Sequence, residues 1–145
     1  MKTLLLALLL AQANSADPEN QLARDILREL IEINTTHSTG STGKAAEAMA
    51  ARLRAAGFAP ADIQIIGPRP ERANLVVRLH GSGAHRPVLL MAHLDVVEAR
   101  KADWSTDPFQ FVEKDGYFYG RGSGDNKSGD TILMTSFIRL KKEGY

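Results

Sequence analysis

The chain contains no cysteine among its 145 residues. Disulfides are excluded, so its stability rests on packing, and any zinc site must be built from His, Asp and Glu. An excess of charge of one sign is also missing: 18 Lys and Arg face 17 Asp and Glu, a net +1. That balance gives no reason to expect nucleic acid or an anionic membrane surface as partner. No apolar run is long enough to span a bilayer as a helix. Internal repeats, low-complexity segments and a linker that would separate a second domain are absent as well. What is present is 43% hydrophobic and 24% charged residues, an ordinary composition for one globular domain with a real core.

The first residues read as a secretory signal. Lys2 supplies a basic start, residues 4–11 an apolar centre, and Ala11-Gln12-Ala13, or the stretch up to Ala16, a small-residue cleavage site. Residues 1–16 are therefore expected to be a signal peptide on an exported protein, periplasmic or secreted. Residues 17–145 are expected to form the mature chain.

Residues 18–33 repeat apolar side chains at helical spacing (Leu22, Ile26, Leu27, Leu30, Ile33), with Asp17 as cap and Pro18 at the first helical position. A polar loop follows over 34–42. An alanine-rich helix is expected over 43–56, closed by Gly57. Strands are expected at 62–66 and 74–79, separated by a proline-bearing turn over 67–72. Residues 87–92 are continuously apolar, which suits a strand buried on both faces of a sheet. Residues 104–109 read as irregular. Asp115-Gly116 is a strong two-residue hairpin signal between 109–114 and 117–120. A last helix is expected over 128–143, with Lys141 and Lys142 in its final turn and Gly144 ending it. Helices, then strands, then a helix returning to the sheet predict an α/β fold: a mixed sheet flanked by helices.

Two motifs between residues 91 and 129 carry chemistry. Ala92-His93-Leu94-Asp95-Val96-Val97 places an imidazole just past the end of the apolar run, at the sheet edge where α/β proteins build sites. Residues two apart on extended backbone face one side, so Asp95 can reach His93 and fix its tautomer. Taken alone, His93 also fits a satisfied buried histidine. Gly120-Arg121-Gly122-Ser123-Gly124-Asp125-Asn126-Lys127 places a carboxylate between a glycine-rich loop and a helix. The helix dipole holds such a group ionised, and its two oxygens can bridge two cations. Taken alone, Asp125 also fits an ordinary helix cap. A phosphate loop needs Gly directly before Lys-Ser, and Asn126 stands there instead.

The ordered set is more specific than its parts. The apolar run, His93-Leu94-Asp95-Val96-Val97, Trp104 through Asp107-Pro108-Phe109, Lys114-Asp115-Gly116-Tyr117-Phe118-Tyr119-Gly120-Arg121-Gly122 and Asp125-Asn126-Lys127 together resemble the zinc-dependent exopeptidase and deacylase family. Glutamate carboxypeptidase, acetylornithine deacetylase, succinyl-diaminopimelate desuccinylase, aminoacylase and carnosinase-like dipeptidases are members. The resemblance is to the N-terminal part of that catalytic domain, a phosphorylase/hydrolase-like fold. It implies that His93 and Asp125 are metal ligands, Asp125 bridging two zinc ions, and that Asp95 is the catalytic aspartate orienting His93. Cobalt or manganese would accept the same donors. A cis peptide between Asp125 and Asn126 is also implied.

The activity implied is hydrolysis of an amide bond in a peptide or N-acyl amino acid by a water that two zincs activate. The resemblance places the general-base glutamate, the remaining ligands and any dimerisation domain beyond Tyr145, so the chain alone is expected to be inactive. A homodimer would form only through that further domain. The alternative is a non-catalytic exported α/β module that binds small ligands or a partner chain.

Overall fold

The computed structural model describes residues 17–145; the expected signal peptide lies outside the described residues. Helix α1 spans Pro18–Glu32. Asp17 accepts the Glu19 N–H and Pro18 opens the first turn, so an orphan donor is satisfied where proline has none to offer. The apolar stripe of α1 buries Ile26, Leu27, Leu30 and Ile31.

Helix α2 spans Thr42–Ala55. Ser41 caps it through the Lys44 N–H, so it starts one residue earlier than the alanine-rich pattern suggests. Its small residues let it lie close to its neighbours: Ala45, Ala46 and Ala50 are fully buried, with Met49 and Leu53 beside them. Phe58 closes this cluster and stacks on Phe137 at 6.4 Å between centroids.

A 3-10 turn, Pro60–Asp62, leads into β1, Ile63–Arg69. It pairs antiparallel with β2, Arg72–Val77, from Ile63↔Val77 to Arg69↔Arg72, with an irregularity between Ile66 and Arg69. The proline-bearing turn expected over 67–72 is thus mostly strand, and only Pro70 and Glu71 turn the chain. A two-stranded ribbon has two free edges, so Pro68 needs no inward N–H. Ile63, Ile65, Ala73, Leu75 and Val77 share the face that packs toward α2, while Gln64, Ile66 and Val76 face solvent.

A second ribbon pairs β3, Val112–Lys114, with β4, Tyr117–Tyr119. Asp115 and Gly116 turn it, with φ of 53° and 79°, the left-handed pair that a tight hairpin needs. Helix α3, Lys127–Glu143, returns across α1 and adds Met134 to the core. Gly144 ends it in the left-handed conformation.

The α/β class holds, with ladders that are antiparallel ribbons. Among the described residues, parallel pairing is one bridge, Thr36 to Val96. The largest departure from expectation is the apolar run at 87–92. It is extended chain, not a ladder strand, and Val88, Leu89 and Met91 are 80%, 81% and 80% exposed. An apolar run states a demand for cover on both faces. No described residue meets that demand.

Candidate metal centre

The bridge between Thr36 and Val96 anchors the site. The Val96 N–H donates to the Thr35 carbonyl at 3.3 Å, and Val96 is buried. This pins the extended segment 93–96 to the loop that follows α1. Held there, His93 and Asp95 do face one side. His93 Nδ1 donates to the Asp95 backbone carbonyl at 3.0 Å, and the Asp95 carboxylate lies 3.3 Å from the same nitrogen.

The other motif arrives from the opposite direction. Gly120 and Gly122 take φ of 156° and 87°, conformations that L side chains resist. Gly124 does not share that left-handed region, so only two of the three glycines are needed for backbone reasons. The Asp125–Asn126 peptide is cis. The N-cap position of α3 is Asn126, not Asp125. Asp125 instead turns its carboxylate to His93, with Oδ1 3.0 Å from Nε2.

The two bland readings are therefore both displaced by geometry. His93 is half-exposed between two carboxylates, not buried among apolar neighbours. The Asp125 hydrogen bond holds the imidazole above its usual pKa, burial works against it, and Asp95 adds to the rise. Ring nitrogen Nδ1 is occupied by Asp95, which leaves Nε2 and the Asp125 carboxylate facing one point. An imidazole and a carboxylate so placed are suitable donors for zinc, cobalt or manganese. They are two donors only: among the described residues, no group of three or more His, Asp or Glu is arranged to hold a metal ion.

Several neighbours that carry no obvious sequence signal complete the surroundings. Lys127 is fully buried and its Nζ donates to the Ile33 carbonyl at 2.8 Å. Burial pushes its ammonium down to about 8, with Asp130 opposing. Burial also pushes the Asp130 carboxyl up to about 7, against the pull of His93 and Lys127. Arg121 lies over the Trp104 ring at 5.0 Å and donates its N–H to the Pro108 carbonyl at 2.7 Å. That contact docks the irregular 104–109 segment on the glycine loop. Glu98 accepts the Ser38 N–H and hydroxyl, each at 2.9 Å, which holds its carboxyl below the usual range.

Residues 89–145, which include His93, Asp95 and Asp125, match the profile of Peptidase family M20/M25/M40. Over that segment the chain resembles this family. The curated relatives extend the match toward the amino terminus. A succinyl-diaminopimelate desuccinylase of Gluconacetobacter diazotrophicus is 33% identical over 131 residues, 90% of this chain and 32% of the relative. Probable succinyl-diaminopimelate desuccinylases of Staphylococcus epidermidis and Staphylococcus aureus are 42% and 43% identical over 83 and 82 residues. These alignments cover 56% and 55% of this chain. The chain spans a fifth to a third of the length of these relatives.

Proposed function

We propose that this chain is the amino-terminal part of a metal-dependent amidohydrolase of the M20/M25/M40 family. The observation that carries the reading is His93 held between Asp95 and Asp125 inside the matched segment. In it, His93 Nε2 and the Asp125 carboxylate would hold the metal, with zinc the expected ion, and Asp95 fixes the imidazole by accepting at Nδ1. Zinc bound there would lower the pKa of a water toward neutrality and polarise an amide carbonyl. The chain's own residues hold and orient: Asp95 sets the tautomer that frees Nε2, and the glycine loop presents Asp125 opposite it.

The relatives are named as desuccinylases, which supports an N-acyl amino acid as substrate ahead of a longer peptide. The basic, then apolar, then small-residue pattern of residues 1–16 supports export, and N-terminal sequencing that finds Met1 retained would refute it. Two donors are too few for a zinc centre, so the 145-residue chain by itself is expected to bind zinc weakly and turn nothing over.

The test uses the native polypeptide from its source, assayed on N-succinyl and N-acetyl amino acids with and without a chelator. Activity lost to the chelator, restored by zinc and abolished by Asp125→Ala supports the proposal. Activity and zinc content that survive Asp125→Ala refute it.

A further inference from the structure

Lys127 is the largest fully buried side chain among the described residues. Lysine is almost never fully buried without a partner. Here the partner is the Ile33 carbonyl, 94 residues earlier in the chain. One carbonyl does not offset the desolvation of an ammonium, and an apolar side chain of similar volume would fill the space at lower cost. The position therefore requires something of the ammonium other than packing.

Three segments meet on this one side chain. The backbone N–H of the same residue donates to the Gly122 carbonyl at 2.9 Å, closing the loop that carries Asp125. Its stem runs beside Gly122: a Cβ there would stand 3.0 Å from Lys127 Cδ and 3.1 Å from Cγ. The same Cβ would stand 2.8 Å from Val96 Cγ1, so the His93 segment borders the same gap. Val96 in turn is tied to the Thr35 carbonyl at 3.3 Å, two residues beyond the carbonyl that Lys127 holds. The chain just after α1 thus grips both halves of the candidate centre, one through a backbone amide and one through Lys127.

We propose that Lys127 is a positioning residue that fixes the Asp125 loop against the His93 segment by tying it to the Ile33 carbonyl. Its importance for function rests on the reading of His93 and Asp125 as the metal-binding pair, but the tie itself is a property of the metal-free chain. The opposed donors then stay 3.0 Å apart because both loops refer to one strut. Without the ammonium, the start of α3 and the loop before it lose their side-chain anchor to the chain after α1.

The experiment uses the isotope-labelled chain without metal and the variant Lys127→Met, which keeps the length of the stem and removes the donor. Amide exchange is read at Val96 and at residues 120–127, together with the nuclear Overhauser contact between the His93 ring and the Asp125 methylene. Loss of a hydrogen bond from a charged donor should raise exchange at these amides about tenfold or more and erase the contact, while Leu30 and Ala50 keep their protection. Unchanged exchange with the contact intact overturns the proposal.

If Lys127→Met does not fold, the parent decides. A slowly exchanging Lys127 ammonium with contacts to Ile33 supports the tie, and one that exchanges like exposed lysines overturns it. Because all these readouts are metal-free, they move independently of the chelator and Asp125→Ala results that test the proposed function.

Discussion

Three glycine-to-alanine substitutions separate the two costs that shape the Asp125 loop. Gly124 has ordinary φ, and nothing lies within 4 Å of the point an added methyl group would occupy, so Gly124→Ala should be neutral or slightly stabilising. Gly57 also has open space but sits at φ 86°. Gly57→Ala therefore carries only the strain of a left-handed backbone, about 1 kcal/mol after the gain from a stiffer unfolded chain. Gly122 has nearly the same backbone, φ 87°, and is crowded by Val96 and Lys127 at 2.8–3.1 Å. Overpacking adds about 1–3 kcal/mol to the backbone cost, which places Gly122→Ala at about 2–4 kcal/mol. Urea unfolding followed by helical circular dichroism measures all three on one scale. If Gly122→Ala costs no more than Gly57→Ala, the close approach of loop, His93 segment and Lys127 does not exist.

Other perturbations test the charges and the open surface. Asp125→Asn should lower the His93 pKa toward its ordinary value, read from the ring proton shifts, because the Asp125 hydrogen bond is the main cause of the rise; an unchanged titration would mean the two side chains do not meet. The raised His93 pKa contributes stability that is present below the unfolded value and lost as pH climbs through the folded one, so Asp125→Asn should weaken the fold more at pH 5 than at pH 8. Asp130 behaves in the opposite sense to a paired carboxylate: with its folded pKa pushed up to about 7, the folded state binds more protons between about pH 4 and 7 and stability falls across that window. Asp130→Asn should flatten this slope and gain about 1–3 kcal/mol on the parent at pH 8, and parallel pH profiles in urea unfolding would contradict it. Leu89→Lys should cut dye binding and light scattering while shifting stability by less than about 0.5 kcal/mol, since Leu89 is already exposed; a large loss of stability would show that the run is packed.

The helices are legible in sequence because their evidence is local. Asp17, Pro18 and the Leu22 to Leu30 stripe mark α1, and Gly144 marks the end of α3. The Asp115-Gly116 turn is equally local and is found where expected. The run at 87–92 misleads because apolarity records what a segment needs and not whether the partner is nearby. The trio of His93, Asp95 and Asp125 can be named from type and order, and the structure does bring it together. Lys127 cannot be assigned a role that way: a lysine on the first turn of a helix reads as solvated until its contact with Ile33 is seen. The same holds for Thr35 and Thr36, buried polar residues in a loop whose sequence advertises only turns.

The strut after α1 also sets an order of events. Helices α1 and α2 are neighbours in sequence and make their contacts early, at small cost in loop closure. Beyond the local contact of His93 with Asp95, the ties around the candidate centre are distant: His93 meets Asp125 across 32 residues, Ser38 meets Glu98 across 60, and Lys127 meets Ile33 across 94. On a ribosome, the Thr35 carbonyl would wait for Val96 and the Ile33 carbonyl for Lys127. The donor pair can therefore assemble only after Asp125 and Lys127 have both emerged, and a folding defect at the start of α3 is expected to misplace Asp125.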